Sequence, residues 1–292
     1  MELLIYLILF LLVLIVSSTT NKLLPFLPLP LVQILLGIVI GLFLPNTDFH
    51  LNTELFLALV IGPLLFRESE EADITAILKH WRIIVYLIFP VIFISTLSLG
   101  GLAHLLWLSL PLAACLAVGA ALGPTDLVAF ASLSERFSFP KRVSNILKGE
   151  GLLNDASGLV AFQVALTAWT TGAFSLGQAS SSLIFSILGG FLIGFLTAMT
   201  NRFLHSFLLS MRATDIASEL LLELSLPLVT FFLAEEVHVS GIIAVVVAGI
   251  LKASRFKKIT LLEAQVDTVT ETVWHTVNFM LNGSVFVILG ME

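Results

Sequence analysis

The sequence predicts an all-α protein, a polytopic membrane helix bundle of about ten transmembrane helices. Three observations carry that expectation. The first is solvent preference: of 292 residues, 58% are hydrophobic and only 12% charged. Soluble domains carry roughly 25% charged residues, and the mean hydropathy here is +1.06. The second is the division of the chain into apolar runs near the ~20 residues that cross a hydrocarbon core. The third is an alternation of basic residues between successive connections.

The runs fall at residues 3–20, 29–44, 54–67, 83–105, 109–133, 145–170, 181–202, 216–235, 239–252 and 272–290. The first reads as a membrane helix rather than a secretory signal, because Glu2 stands where a signal needs positive charge. With the N-terminus outside, every odd-numbered connection faces the cytoplasm. Those connections hold Lys22; Arg67, Lys79 and Arg82; Arg136, Lys141 and Arg142; Arg202 and Arg212; and Lys252, Arg255, Lys257 and Lys258. Lys148 lies just inside the sixth run, near the same side. That accounts for all 14 Lys and Arg residues. Even-numbered connections, such as 45–53 and 170–180, have none. A wrong segment count would scramble this pattern, so the positive-inside rule supports both count and orientation.

Residues 1–292 are expected to form a single transmembrane domain, since no polar linker or hydrophilic stretch interrupts them. A net charge of −6 spread over loops offers nucleic acid no basic patch. The single Cys115 excludes a disulfide framework and reads as a small buried hydrophobe. The six His residues are dispersed without metal-ligand spacing.

Charge inside a membrane helix costs about 2.5–3.5 kcal/mol, so where it survives function is the default reading. Two places stand out. In the fifth run, Gly123-Pro124-Thr125-Asp126 sits mid-span. Proline removes a backbone donor and frees carbonyls on the preceding turn. A break at that depth is tolerated where backbone is covered by protein or lines a wet cavity. The bland alternative is a kink whose Asp126 caps the second half-helix. In the sixth run, Glu150, Asn154 and Ser157 share one helical face, with Asp155 on an adjacent face between Gly151 and Gly158. The alternative there is a polar network that ties helices together. Desolvation favours the neutral form of a carboxylate, and a hard cation seeks the same oxygens. Proton and monovalent cation therefore compete for Asp155, and one carboxylate couples two fluxes without ATP.

Other polar groups read as structural. Glu68, Glu70, Glu71 and Asp73 beside Arg67 suit a solvated cytoplasmic helix start. Glu235, Glu236 and His238 suit a solvated external turn. Glu219 and Glu223 lie at i, i+4 near the cytoplasmic end of the eighth run, with Glu223 partly buried. Gly189, Gly190 and Gly194 mark close helix packing, while Ser17 to Asn21 and the Trp residues suit interfacial positions.

These motifs resemble the monovalent cation:proton antiporter-1 family, the NhaP/NHE-like sodium/proton exchangers. Thr125-Asp126 looks like the family's Thr-Asp pair on a broken helix, and Glu150-Gly151-Leu152-Leu153-Asn154-Asp155 like its Glu-Ser-Leu-Leu-Asn-Asp signature. Leu65-Phe66-Arg67-Glu68 with Glu71-Ala72-Asp73 matches the third-helix exit, and Ala234-Glu235 with Val239-Ser240-Gly241 matches a later turn. The resemblance covers essentially the whole chain. It implies that Asp155 binds the cation (Na+, with Li+ or K+ as alternatives) and the proton, with Asn154 beside it. Thr125 and Asp126 would add oxygens or shape at the crossover, with Thr125 a second cation ligand, and Glu150 would be a buried anchoring carboxylate. Pairing Asn with Asp goes, in relatives, with electroneutral one-for-one exchange. It further implies a plasma-membrane homodimer that moves Na+ and H+ without a cofactor and is not an enzyme.

The chain departs from that pattern at Gly151, where Ser is usual, and at Leu127, where Pro is usual. Relatives also continue through further helices, one with an arginine that pairs with the signature Glu. The expected fold is therefore C-terminally incomplete, the second half of an inverted repeat unfinished. Three other readings stay open at this point: a non-transporting fragment, a gated cation channel, and an intramembrane hydrolase using Asp126 and Asp155 as a dyad. No carbonyl-filter repeat or substrate-gating motif accompanies the last two.

Overall fold

A computed structural model describes residues 2–24, 26–43, 52–124, 139–171, 176–211, 215–253 and 261–291. Among these residues the regular structure is helical throughout. The elements are α1 (Glu2–Leu23), α2 (Leu29–Phe43), α3 (Thr53–Phe56), a π-helical turn (Leu57–Ile61), α4 (Gly62–Glu71), α5 (Ile74–Leu106), α6 (Leu112–Leu122), α7 (Lys141–Thr171), α8 (Leu176–Ser210), α9 (Ile216–Glu236), α10 (Gly241–Ala253) and α11 (Leu261–Met291). Every expected apolar run holds a helix. Four stretches among the described residues are long and apolar enough to cross a membrane: Lys79–Leu106, Phe185–Ser210, Ile216–Glu236 and Thr268–Met291. Shorter apolar helices cover Ile8–Leu23, Leu29–Leu42, Leu112–Leu122, Val160–Thr170 and Gly241–Ala253.

The third run is not one plain helix. Asn52 caps α3, its side-chain oxygen accepting from the amides of Glu54 and Leu55 at 3.0 and 3.2 Å. Pro63 cannot donate to the carbonyl four residues back. The chain answers with a π turn just before it, in which the Gly62 amide reaches the Leu57 carbonyl instead. Pro90 inside α5 and Pro227 inside α9 interrupt the ladders of those helices in the same way.

Two compact units are distinguished. One comprises Met1–Leu64, His205–Leu228 and Lys257–Glu292. Its centre is the packing of α2 on α11, with α1 alongside both. Gly37 and Gly290 meet there: a β-carbon on Gly290 would overlap the Ile34 carbonyl, and the Gly290 Cα would lie 3.0 Å from one on Gly37. Only hydrogen side chains let the two backbones approach so closely. Gln33, fully buried, and Leu14 lie against Gly283 of α11.

The other unit comprises Leu65–Leu204 and Val229–Phe256, and within it α5, α6 and α7 pack on one another. Ile84 and Ile92 of α5 form a buried apolar cluster with Ile77, Ile146 and Ala161. Cys115 of α6 is buried as a small apolar side chain. The glycines of α8 do pack closely, as expected: a β-carbon on Gly190 would meet the Ser240 carbonyl at 2.8 Å, and one on Gly194 would overlap the Ala244 carbonyl. The Thr230 hydroxyl donates to that of Thr197 at 3.0 Å, beneath the apolar surface of α8 and α9.

Candidate ion-binding site

The site is built on α7. Its sequence alternates small and polar residues over Gly149–Gly158, and the small ones let neighbours close in. A β-carbon on Gly149 would come within 2.9 Å of Ile84 on α5. One on Gly158 would overlap the ring of Pro124, just past the end of α6. The helix is therefore clamped by α5 at one level and by the Gly-Pro break at another. Between those clamps sit the polar residues of the motif. Asn154 is completely buried, Glu150 is 7% exposed, and Gly151 is buried beside them. Ser157, next on that face, is partly buried.

Not every predicted site residue can be placed. Asp155 belongs to α7 by its backbone, directly after buried Asn154, and its side chain lies outside the description. Thr125 and Asp126 lie outside the described residues, which stop at Pro124 on this side. What the fold brings together is the last described turn before Thr125 and the turn of α7 that follows Asp155. Pro124 of the fifth run and Gly158 of the sixth thus meet.

Several groups set aside as solvated need correction. Glu68, Glu70 and Glu71 end α4 rather than starting a helix, and part of the group is buried. Arg67 bonds Glu70 at 3.0 Å and Glu71 at 2.6 Å, and Lys252 of α10 bonds Glu70 at 3.1 Å. The side chains of Arg67, Glu70 and Lys252 are 13%, 15% and 9% exposed. This closure is possible because Gly249 lets α10 press on α4, where a β-carbon would meet Ser69 at 2.7 Å. The Lys252 ammonium also lies 5.5 Å from the Phe66 ring centroid. No sequence signal linked residues so far apart in the chain; only the helical contact does.

Glu235 is exposed, as expected of a turn, yet it also holds the backbone in place. Its carboxylate accepts from the Gly241 amide at 3.2 Å and caps α10. His238 takes a positive φ of 57° in that turn. Ser17 is fully buried, donating to the Leu14 carbonyl at 2.9 Å. Trp274 is 1% exposed and donates its indole N–H to Glu223 at 3.1 Å.

Comparison with known proteins decides the family. The sodium/hydrogen exchanger transmembrane profile matches residues 7–292. The chain belongs to the sodium/hydrogen exchanger family. Its members are transporters, not enzymes, and it is accordingly a multi-pass membrane protein. A sodium, potassium, lithium and rubidium/H(+) antiporter of Bacillus subtilis is 38% identical over 277 residues, 95% of this chain and 41% of the relative. A protein of the same description from Bacillus pumilus is 37% identical over 98% of this chain and 43% of its own length. The chain thus spans less than half the length of these relatives. The exchanger fold is recovered in three dimensions too. The sodium proton antiporter MjNhaP1 of Methanocaldococcus jannaschii superposes over all of this chain and 71% of its own, with a TM-score of 0.75 at 22% identity.

Proposed function

We propose that this chain forms the ion-translocating part of a secondary antiporter, exchanging a monovalent cation for H+ across the cell membrane. Na+ is the principal cation, with Li+ and K+ alongside it, and the exchange is one for one and electroneutral. Cation and proton compete for Asp155. Asn154 stands beside it, Glu150 anchors the helix, and Thr125 and Asp126 complete the oxygen cage from the broken fifth run. The protein works as a homodimer in a lipid bilayer with its N-terminus outside, serving sodium transport and pH homeostasis.

One observation carries this reading: the polar face of α7 is buried, and Gly158 seats that helix on Pro124, at the threshold of Thr125. A polar helix face buried among apolar neighbours is expensive unless its groups serve one another or a ligand. A carboxylate at that level takes either a proton or a hard cation, and taking one releases the other. The Bacillus relatives support the breadth of cation, since their descriptions name sodium, potassium, lithium and rubidium.

The test is proton movement in vesicles containing the full-length form, read with an internal pH-sensitive dye after a pulse of Na+, Li+ or K+. Asp155→Asn is expected to reduce the cation-driven signal to that of empty vesicles. Exchange that persists in this variant overturns the assignment. Electroneutrality is read separately, as a rate indifferent to an imposed membrane potential.

A further inference from the structure

A second group of ionisable side chains is buried in the unit made of Met1–Leu64, His205–Leu228 and Lys257–Glu292, which does not contain α7. His205, near the end of α8, places its Nε2 3.2 Å from a carboxylate oxygen of Glu219 on α9, with the two side chains 20% and 8% exposed. One turn along the same face of α9 is Glu223, held by the Trp274 indole. Pro227, four residues further, has no amide to offer the Glu223 carbonyl. From α11, Thr270 shares the face of Trp274 one turn earlier. Its hydroxyl is buried and has no hydrogen-bond partner among the described residues.

The chemistry of this group is that of a proton site. Trp274 contributes one neutral hydrogen bond and Thr270 carries no charge, so neither neutralises a buried carboxylate. Among the described residues of this group, the imidazole is the one that does so reversibly, because histidine alone changes charge near neutral pH without perturbation. Among the described residues of these helices, the other titratable groups are exposed. Asp215 precedes α9 and is exposed, Glu271 and His275 lie on the exposed face of α11, and Arg202, a turn before His205 in α8, is also exposed. The His205 side chain, 20% exposed, is the more accessible of the pair.

We infer that His205 and Glu219 form a second proton-binding site, separate from Asp155. A proton from water adds to the imidazole while Glu219 stays ionised, so the pair passes from a net charge of −1 to zero.

Ring-labelled histidine NMR of the full chain in lipid nanodiscs tests this directly, with His205→Gln identifying the resonance. The expected result is a proton affinity at His205 reduced about tenfold, one pH unit, in Glu219→Gln, and unchanged in Asp155→Asn. Equal midpoints in wild type and Glu219→Gln overturn the proposal. So does a midpoint displaced equally by Asp155→Asn, which would make the two sites one. Should Glu219→Gln fail to fold, the wild type decides: titration at or below the ordinary histidine value of about 6.5 also overturns it. The readout involves no transport, so it fails or succeeds independently of the antiport reading.

Discussion

Lys252, Glu70 and Arg67 show how a few ångströms of burial change what a charge does. Glu70 is shared by two cations at 3.0 and 3.1 Å, so removing its charge takes a counter-charge from both where water reaches them poorly. Breaking a buried pair from one side costs about 3–5 kcal/mol, and slight exposure brings that down to about 2–4. Glu70→Gln is therefore expected to lower the unfolding midpoint of the solubilised protein clearly. Glu71→Gln removes an ion pair made by a side chain that is itself 58% exposed and should cost under about 1 kcal/mol. Scanning fluorimetry of the two variants side by side checks the contrast. Asp215 gives a pH-dependent case outside the membrane segments. Hydrogen bonds from the Ser218 hydroxyl and amide hold its carboxyl below the usual carboxylate range. A depressed folded value means the cap is fully present above the unfolded value, about 3.9, and is lost as pH falls through the folded one. Hydrogen exchange at the Ser218 amide should accordingly quicken in Asp215→Ala at neutral pH, relative to the rate intrinsic to that pH, and the difference should vanish in strong acid.

Helices in this chain are brought together chiefly by glycine. Gly37 meets Gly290, Gly158 meets Pro124, and Gly194 meets the Ala244 carbonyl. Each is a place where a methyl group would push on backbone or a rigid ring, which cannot rotate away. Gly101 of α5 is a natural control, because nothing lies within 4 Å of a β-carbon there. Gly101→Ala should be tolerated and gain up to about 1 kcal/mol of helix propensity. Gly158→Val should abolish exchange while the protein still inserts, because it drives α7 off the break that precedes Thr125. Retained cation-driven proton movement in that variant would separate the Gly-Pro break from the transport site. The π turn at Leu57–Ile61 belongs to the same scale: one proline, Pro63, dictates the change of hydrogen-bond register in an otherwise continuous helix.

For the molecule as a whole, the sidedness proposed above rests on the distribution of Lys and Arg. In a Cys115→Ala background, Ser175→Cys should react with an impermeant maleimide from outside intact cells, and Lys141→Cys only after permeabilisation. Reversed labelling would invert the topology. The all-α class, the placement of the apolar runs on helices and the polar stretch of α7 were legible in the sequence, since each depends on local quantities: run length, residue polarity, and 3.6-residue periodicity. The Glu150–Asn154 face is an example, being read from spacing and found buried. The partnerships were not legible. His205 with Glu219, Glu223 with Trp274, and Glu70 with Lys252 join residues from 14 to 182 positions apart. Sequence alone therefore set which segments are apolar helices and where charge survives inside them. Only tertiary packing decided which charges are neutralised, because desolvation and Coulomb attraction depend on distances between helices that no local pattern encodes.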